Sequence, residues 1–180
     1  MVGPASGANL SLLISREDIA AKVSELAGEI DRDYAGRSPV MVGILKGAFV
    51  FLADLVRQMK TPIWGIEFVR VASYGASTMS SGRPRILVDL AREAIEGQDV
   101  IVVEDIVDTG LSAQAAMGHL RGLNPTSLAL CALLDKPERR RVPVTIDYLG
   151  FTLPDRFVVG YGLDAGERFR QLPDIYTMRE

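Results

Sequence analysis

The segment Val100–Gln114, VIVVEDIVDTGLSAQ, holds the densest group of reactive side chains in the sequence. An apolar run leads into Glu104-Asp105, then Asp108-Thr109-Gly110, and the pattern predicts a helix from near Ser112. Three carboxylates within five residues at the exit of a buried strand are electrostatically costly unless cations or ligand hydroxyls offset them. Thr109, Gly110, Leu111 and Ser112 bring backbone N–H groups and two hydroxyls to a helix N-terminus, where an anion such as phosphate is favoured. Acids suited to a metal or to hydroxyls, beside amides suited to a phosphate, point to a sugar phosphate. The plainer alternative is that Asp108 and Thr109 only form a turn and cap the helix.

Other candidates stand after other apolar runs. Lys46-Gly47 follows Pro39–Leu45, and Lys136 follows Ser127–Leu134. Each lysine can be read as an ordinary solvated loop residue. The stretch Ser73–Arg83, SYGASTMSSGR, lacks apolar periodicity; its composition fits either a mobile lid that excludes water or a plain hairpin tip. PERRR at Pro137–Arg141 reads as a solvated basic turn, and Trp64 as core or interface. His119 falls inside a helix and Cys131 inside an apolar strand; neither is assigned a catalytic role.

The elements that position these residues alternate. Ser15 with Asp18 resembles a capping box, and Ile19, Val23, Leu26, Ala27 and Ile30 then share a helical face. Pro39–Leu45 suits a strand buried on both sides, and Phe49, Leu52, Leu55, Val56 and Met59 trace a second helix. Strands are expected at Ile63–Ala72, Arg85–Leu90, Asp99–Glu104 and Ser127–Leu134, and a helix over Leu111–Arg121 ends at Gly122. Val142–Tyr161 offers two short β segments divided by Pro154-Asp155. Alternating strands and helices predict an α/β fold with a mainly parallel sheet, whose ligands bind beyond the carboxyl ends of the strands.

Composition narrows the class. At 180 residues and 48% apolar content the chain is read as one globular domain over 1–180, with residues 1–10 a flexible lead-in. One cysteine and one histidine exclude an internal disulfide and a Cys/His zinc site. A net charge of −3 argues against nucleic acid as a partner. No run reaches the length of a bilayer span, which gives the expectation of a cytoplasmic protein without a membrane partner.

VVEDIVDTGLSA resembles the 5-phosphoribosyl-1-pyrophosphate signature of type I phosphoribosyltransferases. GILKGAFVFLADL at 43–55, VASYG at 71–75, LLDKPERR at 133–140 and GFTLPDRFVVGYGLD at 150–164 are similar to the hypoxanthine-guanine members in the same order. The resemblance runs from about residue 12 onward. Leu111 stands where some relatives carry Lys, which is similar to the bacterial variant.

That resemblance implies a sheet flanked by helices with a small hood formed by terminal segments. It implies transfer of the phosphoribosyl group to a 6-oxopurine, hypoxanthine or guanine, giving IMP or GMP and pyrophosphate with Mg²⁺. Asp108 would manage the purine proton, and Ser73 and Tyr74 would head the catalytic lid. Glu104 and Asp105 would contact the ribose hydroxyls and help hold Mg²⁺, with Asp164 reaching a second Mg²⁺. Thr109, Gly110, Leu111 and Ser112 would cradle the 5′-phosphate; Leu45, Lys46, Gly47 and Arg170 would meet pyrophosphate, across a Leu45-Lys46 peptide that can be cis. Lys136 would donate to the purine's exocyclic oxygen, Phe157 would stack on the base, and the Val158 carbonyl would accept from it. A homodimer or homotetramer is implied. Two alternatives are weighed against this: a regulator that repurposes the fold, disfavoured by the acidic charge and lack of spare length, and an adenine or pyrimidine enzyme, disfavoured by Lys136 and FVVGYGLD.

Overall fold

The computed structural model describes residues 9–72 and 85–178. The Ser73-Tyr74 lid expectation lies outside the described residues, as does most of the lead-in. Strand β1 spans Leu10–Ile14, helix α1 Arg16–Asp33, β2 Val40–Leu45, α2 Phe49–Gln58, β3 Gly65–Ala72 and β4 Arg85–Val88. Then come β5 (Asp99–Val107), α3 (Leu111–Arg121), β6 (Ser127–Asp135), β7 (Tyr148–Thr152), β8 (Val158–Val159) and β9 (Ile175–Met178).

Helix α1 starts where its sequence says it should. Ser15 Oγ accepts from the Asp18 amide at 3.1 Å and donates to the Asp18 carboxylate at 2.6 Å. Ile19, Val23, Leu26, Ala27 and Ile30 are the buried face. Complete burial of each large side chain in that face is worth roughly 1.5–3 kcal/mol. Helix α2 departs from its expected stripe: Phe51, Leu52 and Leu55 are buried, whereas Phe49 is exposed. Residues 49 and 51 lie about 200° apart on a helix, so burying Phe51 turns Phe49 outward.

The main sheet runs β4-β3-β2-β5-β6-β7, parallel throughout except for the antiparallel edge strand β4. Alternate residues feed two cores. In β5, Ile101 and Val103 pack with α1 and α2, while Val100 and Val102 pack with α3. Burial on both faces is why these strands read as unbroken apolar runs.

Strand order explains where a ligand can sit. From β2 the chain crosses through α2 to β3 on one side; from β5 it crosses through α3 to β6 on the other. The loops after β2 and β5 therefore part at neighbouring strand ends and leave a crevice.

One feature differs from the sequence reading, and a second removes the core option for Trp64. The β5 ladder with β6 continues to Val107↔Asp135, so Glu104 and Asp105 lie within the strand instead of at its exit. Trp64 stands 68% exposed just before β3, with Ile66 and Phe68 exposed at alternate positions beyond it. Helix α2 covers β2 and β5, leaving that end of the sheet face open.

A second sheet joins the two ends of the described chain in the order β1-β9-β8, all antiparallel. This is the expected small hood of terminal segments. Asp174 locks it to α1 by accepting from the Arg16 amide at 2.8 Å and from its guanidinium at 2.9 and 3.0 Å. No described helix is long and apolar enough to cross a membrane.

Candidate active site

The crevice holds the predicted residues in two adjoining cavities. One, of about 390 Å³, is walled by Leu45, Lys46, Gly47, Glu104, Asp105 and the Asp108–Ser112 loop, although Leu111 itself does not line it. The other, of about 280 Å³, is walled by Lys46, Gly47, Asp105, Asp108, Lys136, Phe157, Val158, Asp164 and Arg170. Asp105 and Asp108 border both. The Leu45-Lys46 peptide is cis.

Local backbone prepares the first cavity for an anion. Gly110 is the N-cap of α3 with φ +84°, and a Cβ there would meet Val144, Arg140 and the Val142 carbonyl at 2.9–3.1 Å. Glycine is required by both conformation and space. No side chain caps this helix; Thr109 Oγ1 accepts from the Leu111 amide only at a long 3.4 Å. Asp108 makes no cap hydrogen bond to α3, and its Oδ1 faces Arg139 Nε at 2.7 Å. The turn-and-cap alternative therefore accounts for little of this loop, and its amides face a site where phosphate is favoured.

The acid pair is costly as it stands. Glu104 is buried and its Oε2 has no hydrogen-bond partner. Burial, and then the Asp105 charge, hold its carboxyl well above the usual range against the pull of Arg140. Burial likewise pushes Asp105 up to about 6, opposed by its own and Ile106's backbone N–H groups. A cation or ligand hydroxyls would restore both. Among the described residues, no group of three His, Cys, Asp or Glu side chains is gathered closely enough to hold a metal. Asp164 is instead engaged by Arg170 at 2.7 Å and by the Glu167 amide at 2.8 Å. The pair fits Mg²⁺ only as part of a set completed by substrate oxygens, the habit of that ion.

Lys136 is not the solvated loop residue that its type allows. It is buried, and its Nζ donates to the Arg156 carbonyl beside Phe157. Burial pulls its pKa down while the Asp108 and Asp155 charges hold it up. Phe157 is 57% exposed rather than core, a free aromatic face on the wall of the second cavity. Its carbonyl accepts from the Met178 amide at 3.1 Å, so the terminal sheet sets its place.

Three residues escape the sequence reading. Glu167 pairs with Lys46 at 2.9 Å, and Arg170, which also donates to the Gly162 carbonyl at 2.7 Å, lies beside it. Arg140 reaches the Asp135 carboxylate with its guanidinium largely buried. Arg139 contacts Asp108 and Asp155. PERRR is the expected exposed turn, with Arg140 alone half-buried, yet two of its arginines also face carboxylates at the strand ends. Only its abrupt charge density signals this. His119 pairs with Asp89 at 2.5 Å, and Cys131 is buried, its thiol pushed up by burial.

The family model described as the phosphoribosyl transferase domain matches residues 14–165. Hypoxanthine-guanine phosphoribosyltransferase from Aquifex aeolicus is 47% identical, with 97% of each chain covered. The protein of the same name from Dictyostelium discoideum is 45% identical over 94% of this chain and 95% of that one. A crystal structure of a Bacillus anthracis hypoxanthine-guanine phosphoribosyltransferase superposes with a TM-score of 0.85 at 44% identity, covering 93% of this chain and 97% of that one. Sequence and architecture together define a type I phosphoribosyltransferase. Within that class, the chain belongs to the hypoxanthine-guanine phosphoribosyltransferase family.

Proposed function

We propose that this chain, acting as a single phosphoribosyltransferase domain over 1–180, transfers a phosphoribosyl group from 5-phosphoribosyl-1-pyrophosphate to hypoxanthine or guanine. The products are IMP or GMP and pyrophosphate. One observation carries this reading: the acid pair of buried Glu104 and half-buried Asp105 lies between an uncapped helix N-terminus and the Lys46-Gly47 loop, beside a cavity walled by Lys136 and Phe157. Ribose hydroxyls, 5′-phosphate, pyrophosphate and base each find matching chemistry there.

In this reading the amides of Thr109–Ser112 take the 5′-phosphate and the acid pair takes the ribose hydroxyls. Lys46 and Arg170 meet the pyrophosphate, and Asp108 holds or receives the purine proton near N7. Ser73 and Tyr74 belong to the lid in the same proposal. Glu104 and Asp105, with donor oxygens and with Asp164 nearby, would hold Mg²⁺, which would supply charge neutralisation for pyrophosphate as a leaving group. The protein's share is positioning and electrostatics.

The protein works in the cytoplasm as a homodimer or homotetramer in this proposal, and exposed Trp64, Ile66 and Phe68 offer an apolar face that a second copy would cover. Pyrophosphate release with donor and each purine, with and without Mg²⁺, tests the activity. Release with hypoxanthine or guanine that stops in chelator is the expected result; no release with either base overturns it.

A further inference from the structure

We propose that Arg139 is a positioning residue that fixes which oxygen of Asp108 faces the purine and ties that acid to the base-stacking loop. The proposal rests on the transferase reading above.

The guanidinium spans two loops. Its Nε lies 2.7 Å from Asp108 Oδ1 in the turn after β5, and its Nη1 lies 3.1 Å from Asp155 Oδ1, two residues before Phe157. Asp108 Oδ1 is fully buried and makes no hydrogen bond, so Arg139 meets it as a close opposite charge, while the side chain as a whole keeps 38% exposure. The exposure therefore falls on the rest of the side chain, where Asp108 borders both cavities. A lone aspartate on a turn can rotate its carboxylate; one held by Oδ1 presents Oδ2. A planar guanidinium can serve two carboxylates in different directions at once, which an ammonium on a flexible stem does poorly. Arg139 starts from the short 3-10 turn Pro137–Arg139, anchored by Arg139 N donating to the Lys136 carbonyl at 3.1 Å. The clamp is thus built next to Lys136, and the proton-managing carboxylate and the base-stacking ring are held in one frame.

Arg139 is 43% exposed, and ion pairs this open contribute little to folding. Its loss can be read in kinetics without loss of the fold. Arg139→Ala should lower kcat by about 10-fold or more and leave KM for the phosphoribosyl donor unchanged, since the clamp acts in the base half of the site. Arg139→Lys should recover part of that loss. The deciding measurement is a double-mutant cycle with Asp108→Asn. If Arg139 acts through Asp108, removing it from Asp108→Asn should change kcat by less than about 2-fold. An equal loss in both backgrounds, or no loss in the native one, overturns the proposal while leaving the transferase reading intact. A native protein inactive with every purine overturns that reading, and this proposal with it.

Discussion

The Asp105 carboxylate fills the space that a side chain on Gly47 would need: a Cβ there would fall 1.7 Å from Asp105 Oδ2. The loop after β2 and the acid pair on β5 are thereby fitted to each other across the crevice. Gly47→Ala must push one of them aside. A displacement of this kind near reacting groups should lower kcat/KM for the donor by about 10²-fold. Steady-state kinetics with saturating hypoxanthine checks this, and an unaltered donor kcat/KM would separate the loop from donor binding.

In the proposed function, Lys136 gives the site its direction of hydrogen bonding. An ammonium only donates, so it suits the carbonyl oxygen of hypoxanthine and guanine and opposes the amino group of adenine. Sites built around one such bond discriminate by about 10⁴-fold or more. Hypoxanthine and guanine should be used well, xanthine less well and adenine hardly at all. Lys136→Ala should depress 6-oxopurine turnover and narrow the gap to adenine. Equal use of adenine and hypoxanthine by the native protein would remove Lys136 from the base pocket.

Metal binding should depend on the donor. With no three described acidic or metal-ligating side chains gathered into a cage, the acid pair needs substrate oxygens to complete an octahedral set. Titration calorimetry should show weak Mg²⁺ binding to the protein alone and much tighter binding with donor or pyrophosphate present. Equal affinity in both conditions would contradict the shared site.

Asp105 also makes a stability prediction. Its carboxyl sits at about 6 in the folded chain against an ordinary 3.8. Between those values the folded protein holds a proton that the unfolded chain has released, so this group's contribution to stability falls as pH rises through the window. Asp105→Asn removes the penalty. At pH 8 without ligands the variant should be more stable by about 1–3 kcal/mol, and the difference should vanish towards pH 4. Urea unfolding at both pH values checks it; a pH-independent difference would rule out the Asp105 charge as its cause.

Legibility in the sequence follows locality. Helix α1 is readable because Ser15, Asp18 and the Ile19–Ile30 stripe lie within one helix and each speaks for the same structure. Strand β2 and the middle of β6 are readable because burial on both faces leaves nothing but apolar residues and a glycine. Strands β1 and β9 are not, since each is short and gains its partner only by pairing Leu10 with Met178. The end of β5 misleads for a related reason: charged Glu104-Asp105 looks like a strand terminus, but the ladder to β6 carries them inward. Arg139 and Glu167 are invisible because their partners, Asp108 and Lys46, lie far off in sequence. Motif residues whose types alone imply chemistry can be named in advance; the charges that orient them need the fold.

The antiparallel pairing of β1 with β9 makes the polypeptide topologically close to a ring. Leu10 and Met178 sit side by side, so the place where the chain is opened has little to do with the place where it reacts. A short linker across that gap and a new opening at an exposed turn would give a circular permutant with the same sheet order. Phe157, whose carbonyl accepts from the Met178 amide, would then hang from an internal hairpin.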